Sequence, residues 1–204
     1  MKEVPVEDML NIAKRISIPK KVESEIMFQD PFIIWLLFRE FEQRTGIDLE
    51  GEKVLDLGSG HGTALAVGES HGMKMYGVEK REDMISISRE ELKRAGFHPQ
   101  VEQGDYFSPA MASLRFEDGT QISEIKYFYI FVYTGMIYRE EGGHTAKVVK
   151  DFFLKDFVSP GSYLLINPNH CKSDEWYESQ PIDVMCGSDG EHEGGDLIIK
   201  KRKK

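Results

Sequence analysis

Apolar positions along the chain alternate between helical and strand-like spacing. Val6 to Ile16 reads as a short amphipathic helix, with Met9, Leu10, Ile12, Ala13 and Ile16 on its apolar side and Pro19 ending it. Asp30 to Arg44 predicts a second helix. Asp30 suits the N-cap, Pro31 fits the first helical position through its fixed φ, and Gly46 stops the run. Phe32, Trp35, Leu36, Leu37 and Phe38 make this helix heavily apolar, so it is expected to pack on a partner element.

From Lys53 onward, strand-like and helix-like stretches take turns. Strands are predicted over Lys53–Leu57, Lys74–Val78 (ending on Glu79) and Gln100–Gln103 (ending at Gly104-Asp105). Helices are predicted over Thr63–Ser70 and Asp83–Ala95, the latter with Met84, Ile85, Ile87, Ser88 and Leu92 at helical spacing and Gly96 as its stop. Leu114–Phe116 and Gln121–Ile122, joined through Asp118-Gly119, predict an inserted hairpin. Lys126–Tyr133, rich in aromatic and β-branched residues, suits a buried strand. A helix over Ala146–Phe157 turns Val148, Val149, Phe152, Phe153 and Phe157 inward, and Ser162–Ile166 is a fifth strand. Ile182–Met185 and Asp196–Lys200 predict a closing antiparallel pair. The rhythm is that of βαβ units, hence an α/β protein. Residues 1–50 are expected to form an N-terminal helical extension and 51–204 the main domain.

Composition narrows the class. At 204 residues, 40% hydrophobic and 30% charged, the chain can bury a full core and is not of the disordered type. Its longest apolar run, Pro31 to Phe38, is far short of a membrane span, and the acidic N-terminus lacks a signal core, so a cytoplasmic protein without membrane contact is expected. Cys171 and Cys186 are expected to be free thiols, although their spacing would allow a bridge. His170, Cys171, Cys186 and His192 lack a close Cys-x-x-Cys pair, so no metal is expected. The net charge of −9 conceals a still more acidic body, because Lys200, Lys201, Arg202, Lys203 and Lys204 form a basic tail. An acidic body disfavours a general grip on phosphate backbones and leaves nucleic-acid contact to that tail alone.

The candidate chemistry begins at residues 53–62, Lys-Val-Leu-Asp-Leu-Gly-Ser-Gly-His-Gly. A glycine-rich turn between a buried strand and a helix lets the backbone approach a ligand, and the helix start beyond it offers N–H groups to oxygen. Such a turn is a nucleotide or nucleoside cradle. The dinucleotide fingerprint is G-x-G-x-x-G, whereas Gly58, Gly60 and Gly62 read G-x-G-x-G with Thr63 next, which disfavours an NAD-dependent oxidoreductase.

Asp56, Gly58, Ser59, Gly60 and Gly62 together resemble the first motif of class I S-adenosylmethionine-dependent methyltransferases, in which an acidic residue stands two positions before the first glycine. The resemblance covers residues 51–170, and more loosely the rest. It implies a Rossmann-like, doubly wound, mostly parallel sheet with an antiparallel C-terminal strand and helices on both faces. It also implies S-adenosyl-L-methionine as cofactor. Glu79, at the end of the second strand, would take both ribose hydroxyls. Asp105, at the end of the third, would lie near the adenine amino group, with Tyr106 or Phe107 packing on the ring. Val78-Glu79 and Gly58-Ser59-Gly60 are loosely similar to small protein-lysine methyltransferases of the Dot1-like and archaeal type. Family members also cover the cofactor with residues before the first strand, a place that Ser24 to Asp30 occupies here.

The acceptor is not encoded as clearly. The Asn/Asp-Pro-Pro-aromatic motif of N-methyltransferases is missing after the fourth strand, where Tyr133 and Thr134 stand. Asn167-Pro168-Asn169-His170 looks like it but follows the fifth strand. Tyr133, Thr134, His144 and His170 are the candidate catalytic residues, the histidines because imidazole titrates near neutrality. The expected activity is in-line methyl transfer to a protein side chain or small molecule. The alternatives are a module that binds the cofactor without turnover and, less favoured, an NAD-dependent oxidoreductase.

Overall fold

The computed structural model describes residues 30–131, 143–167, 180–186 and 197–202. They belong to two compact units, one ending at Asp105 and the other beginning at Tyr106. The helix expected over 6–16 and the covering segment 24–29 lie outside the described residues.

In the first unit, α1 (Pro31–Thr45) begins where the sequence predicts. The Asp30 carboxylate accepts the Phe32 N–H at 2.9 Å, and Gly46, at φ 70°, closes the helix by donating to the Glu42 carbonyl. The buried stripe is Ile34, Leu37, Phe38 and Phe41, and it packs against α2 (Thr63–Ser70). Phe32 and Leu36 fall off that stripe and stay exposed, because one helix face holds only positions three and four apart. Strands β1 (Lys53–Leu57), β2 (Lys74–Glu79) and β3 (Gln100–Gln103) run parallel in the order β3-β2-β1, and α3 (Glu82–Arg94) packs on β2 and β3. Both β1 and β2 are buried nearly throughout, as strands covered on both faces must be.

In the second unit, β4 (Tyr127–Phe131), β5 (Tyr163–Asn167), β6 (Ile182–Cys186) and β7 (Leu197–Lys201) order as β4-β5-β7-β6. β4 and β5 are parallel, and β7 is antiparallel to both of its neighbours. The expected closing pair is therefore present. The expected hairpin is not. Its register shrinks to an isolated bridge between Arg115 and Gln121, flanked by 3₁₀ turns over Pro109–Ser113 and Ile122–Glu124. The stretches either side of Asp118-Gly119 are too short to form a ladder. The helix predicted to Phe157 is shorter too. Helix α4 (Gly143–Val148) continues as a π-helical turn, Val149–Phe153, which inserts Phe152 and Phe153 edge-on to Phe128 of β4.

The basic tail is partly built into this unit. Lys201 is buried, and its ammonium donates to the carbonyls of Lys155 and Val158 at 2.6 and 2.7 Å, just beyond the π-helical turn. Lys200 lies over the Tyr163 ring, and Arg202 pairs with Asp183. Lys203 and Lys204 lie outside the described residues. The fold is α/β and Rossmann-like, a mostly parallel sheet with antiparallel C-terminal strands and flanking helices. Among the described residues no helix is long and apolar enough to cross a membrane.

Candidate functional site

The chain leaves β1 through Gly58-Ser59-Gly60-His61-Gly62 and enters α2 at Thr63. All three glycines have positive φ, 78°, 53° and 92°, a region that side-chain-bearing residues rarely enter. The turn is tied to β2 at several points. Gly58 and Ser59 both donate to the Val78 carbonyl, at 2.8 and 3.0 Å. Gly60 donates to Glu79 Oε2 at 3.0 Å. Glu79 Oε1 accepts the N–H groups of Lys80 and Arg81 at 2.8 and 2.9 Å, while its backbone carbonyl accepts from Gly104, just past β3. Glu79 thus joins the ends of three strands. A carboxylate offers about four lone-pair directions, so three bonds leave one open, on Oε2.

Gly60 and Gly62 do different work. A Cβ on Gly62 would stand 2.6 Å from Leu92 Cδ1 and 2.8 Å from Ser88 Oγ, so this glycine lets α3 approach the loop. A Cβ on Gly60 would meet nothing nearer than the Gly58 carbonyl at 4.0 Å. The Gly60 face is therefore the open side of the cradle.

Asp56 lies one residue before the end of β1 and is 2% exposed. Burial, and then the negative charge of Glu79, push its carboxyl well above the usual carboxylate range. Its Oδ1 has no hydrogen-bond partner, and neither has the buried Ser59 Oγ. Buried polar atoms without partners are uncommon and costly, and two within one strand and the turn that leaves it suit a polar group brought by a ligand. Asp105, after β3, pairs with the Lys80 ammonium at 2.9 Å, which raises the lysine's pKa through that hydrogen bond and charge. Tyr106, first residue of the second unit, forms a tilted pair with Phe107 at 4.5 Å between ring centroids, and Lys147 lies over the Phe107 ring.

The first unit accordingly brings together Asp56, Gly58, Ser59, Gly60, Gly62 and Glu79, with Asp105 at the neighbouring strand end. Of the acceptor-side candidates, Tyr133, Thr134 and His170 lie outside the described residues. His144 belongs to α4, but its side chain is not among those described. Two residues went unnoticed in the sequence. His61, inside the turn, is 5% exposed, with Nε2 2.8 Å from Thr63 Oγ1, and burial pushes its pKa down to about 4, so the imidazole is neutral at pH 7. Gly77 in β2 makes room for Ser59, whose Oγ would lie 2.8 Å from a Cβ there. A glycine inside a strand pattern is itself a signal of close approach.

No protein-family model matches the chain, and no curated protein does. Solved structures match its fold. A mutant of MtNAS in complex with S-adenosylmethionine aligns with a TM-score of 0.58 at 15% identity, over 96% of this chain and 72% of that one. An RNA methyltransferase from Salinibacter ruber in complex with S-adenosyl-L-homocysteine aligns with a TM-score of 0.51 at 18% identity, over 86% and 92% of the two chains. Cofactor-bound Rv0187 from MTB aligns with a TM-score of 0.51 at 14% identity, over 98% and 90%. This chain therefore shares its α/β, Rossmann-like fold with these proteins, among them one bound to S-adenosylmethionine and one bound to S-adenosyl-L-homocysteine. Likeness at such identities establishes architecture and leaves the reaction to the site.

Proposed function

We propose that this chain is an S-adenosylmethionine-dependent methyltransferase, with the cofactor held by Asp56, Gly58, Ser59, Gly60, Gly62, Glu79, Asp105 and Tyr106. One observation carries the reading. The positive-φ turn of Gly58, Gly60 and Gly62 closes onto the Glu79 carboxylate and leaves buried polar atoms of Asp56 and Ser59 unpartnered, in a fold shared with S-adenosylmethionine-bound and S-adenosyl-L-homocysteine-bound proteins.

The donor set fits the cofactor. Asp56 Oδ1 and Ser59 Oγ are a carboxyl and a hydroxyl suited to the polar amino-acid end. The free lone pair on Glu79 Oε2 is an acceptor for a ribose hydroxyl. A second ribose bond would require Gly60 or a neighbouring N–H to yield its place. When bound, the sulfonium supplies an already activated methyl group, so the protein's part is alignment and exclusion of water. His61, buried inside the turn and neutral at pH 7, adds no charge there. The acceptor is a protein side chain or small molecule rather than nucleic acid. The net charge of −9 supports this, as does the engagement of Lys200, Lys201 and Arg202 within their own unit.

Calorimetric titration with S-adenosylmethionine, S-adenosyl-L-homocysteine and NAD tests the cofactor. The two sulfur compounds are expected to bind and NAD is not; the reverse result would refute the proposal. A labelled-methyl assay across protein, RNA and metabolite pools then separates an enzyme from a binding module. Binding without transfer to any pool would leave the module as the correct reading.

A further inference from the structure

Parallel pairing of β1 with β2 sets Asp56 beside Gly77. Partners in such a pair point to the same face of the sheet, and so does the residue two further along, Glu79. Gly77 has no side chain, and Ser59 takes that space, with Oγ 2.8 Å from where a Cβ on Gly77 would stand. Asp56, Ser59 and Glu79 therefore share one face at the C-terminal ends of β1 and β2, next to the glycine turn.

The two carboxyls of this cluster have opposite surroundings. Glu79 accepts three backbone N–H groups. Asp56 is buried, its Oδ1 has no partner, and the buried Ser59 Oγ beside it has none either. An ionised carboxylate without donors is costly in such a place, and the charge of Glu79 on the same face adds repulsion. Burial first, and then Glu79, hold the Asp56 carboxyl well above its ordinary value. The elements packed on β1 within this unit bring no cation to that face among the described residues. On β2, Lys74 stands opposite Lys53 at the other end of the strands, and Tyr76 points to the other face. Helix α2 carries Glu69 alone, in its last turn and bonded to the His98 N–H. His61, in the turn, is neutral at pH 7. Asp56 is thus a neutral acid waiting for a positive charge that only a ligand can bring.

We propose that cofactor uptake is linked to proton release at Asp56, whose carboxyl gives its proton to solvent and, as a carboxylate, holds the ammonium of the cofactor's amino-acid end. The identity of that ligand rests on the methyltransferase reading above. The linkage makes cofactor affinity depend on pH. One proton leaves for each ligand bound, so affinity rises with pH, by up to about tenfold per pH unit. The rise begins at the ordinary carboxyl value of 3.8 and levels off once pH exceeds the raised value of the free protein. Glu79, already bonded to three N–H groups, supplies the repulsion that the ligand's positive charge relieves.

Calorimetric titration of the full chain with S-adenosyl-L-homocysteine, in buffers of different ionisation enthalpy and over a series of pH values above 3.8, counts the protons released. Release approaching one proton per ligand is expected at the acid end of the series, fading as pH rises. Methylthioadenosine, which lacks the amino-acid end, is expected to bind without it. Asp56→Asn, its fold checked by a circular dichroism melt, is expected to bind S-adenosyl-L-homocysteine without this pH dependence. The carboxyl carbon resonance of Asp56, in chain labelled at aspartate, gives a second readout that does not need the variant to bind. It is expected to move from the protonated to the ionised position when ligand is added at fixed pH. Binding with no proton release and an unmoved resonance would overturn this proposal and leave the cofactor assignment standing. Proton release that persists in Asp56→Asn, or that methylthioadenosine matches, would also overturn it. No binding of S-adenosyl-L-homocysteine or S-adenosylmethionine at any pH would instead refute the methyltransferase reading, and this proposal with it.

Discussion

Glu79 Oε2 accepts the Gly60 N–H at 3.0 Å, joining residues nineteen apart in the chain. The carboxylate that the cofactor would meet is thus also the group that shapes the turn. Glu79→Ala is expected to act on both functions. It removes the acceptor of three backbone N–H groups, a stability loss of about 1.5–3 kcal/mol for hydrogen bonds to a charged group. It should also weaken S-adenosyl-L-homocysteine at least about tenfold. Urea denaturation and calorimetry measure the two effects. Unchanged affinity would remove Glu79 from the site.

Asp56 carries a pH signature. Burial, and then the charge of Glu79, raise its folded pKa above the ordinary value of 3.8. A carboxyl raised in this way favours folding fully below the unfolded pKa and loses that contribution as pH rises through the folded one. Asparagine cannot ionise. Relative to wild type, Asp56→Asn should therefore gain stability progressively as pH rises above the ordinary carboxyl value of 3.8, while cofactor affinity falls. Thermal melts at several pH values check the trend, and a stability difference that does not vary with pH would contradict it.

Gly60 and Gly62 should respond differently to alanine. At Gly62 the new Cβ meets Leu92 and Ser88 within 2.8 Å at a φ of 92°, so overpacking adds to backbone strain; about 2–4 kcal/mol of stability is expected to go. At Gly60 the space is open, and only the backbone cost of about 1–2 kcal/mol applies. Gly60→Ala should instead be the variant whose affinity falls out of proportion to its stability. Melting temperatures paired with calorimetric affinities decide this.

Lys201→Met should destabilise the second unit by about 1–3 kcal/mol, because the carbonyls of Lys155 and Val158 lose their donor in a buried setting. Lys200→Met loses only a cation–π contact with Tyr163, worth about 0.5–1 kcal/mol. Chemical denaturation of the pair checks the difference; equal effects would mean that burial of Lys201 contributes nothing.

Local periodicity determined much of this protein. The Asp30 cap, the Gly46 stop, the strands around the glycine turn and the closing antiparallel pair are all set by neighbours in sequence, through capping, turn conformation and alternating burial. The acid-glycine spacing from Asp56 to Gly62 was legible for the same reason, since one turn joins one strand to one helix. Other features depend on residues far apart. The inserted hairpin collapsed to the Arg115–Gln121 bridge because its arms were too short to sustain a ladder. Lys201 stands in the basic run at the end of the sequence, and only its place in β7 brings its ammonium against carbonyls more than forty residues away. Which glycine packs and which faces open space was likewise settled by α3 lying against Gly62 but not against Gly60. Sequence determines conformations with local causes; burial, and the partner each polar group finds there, arise only when distant segments meet.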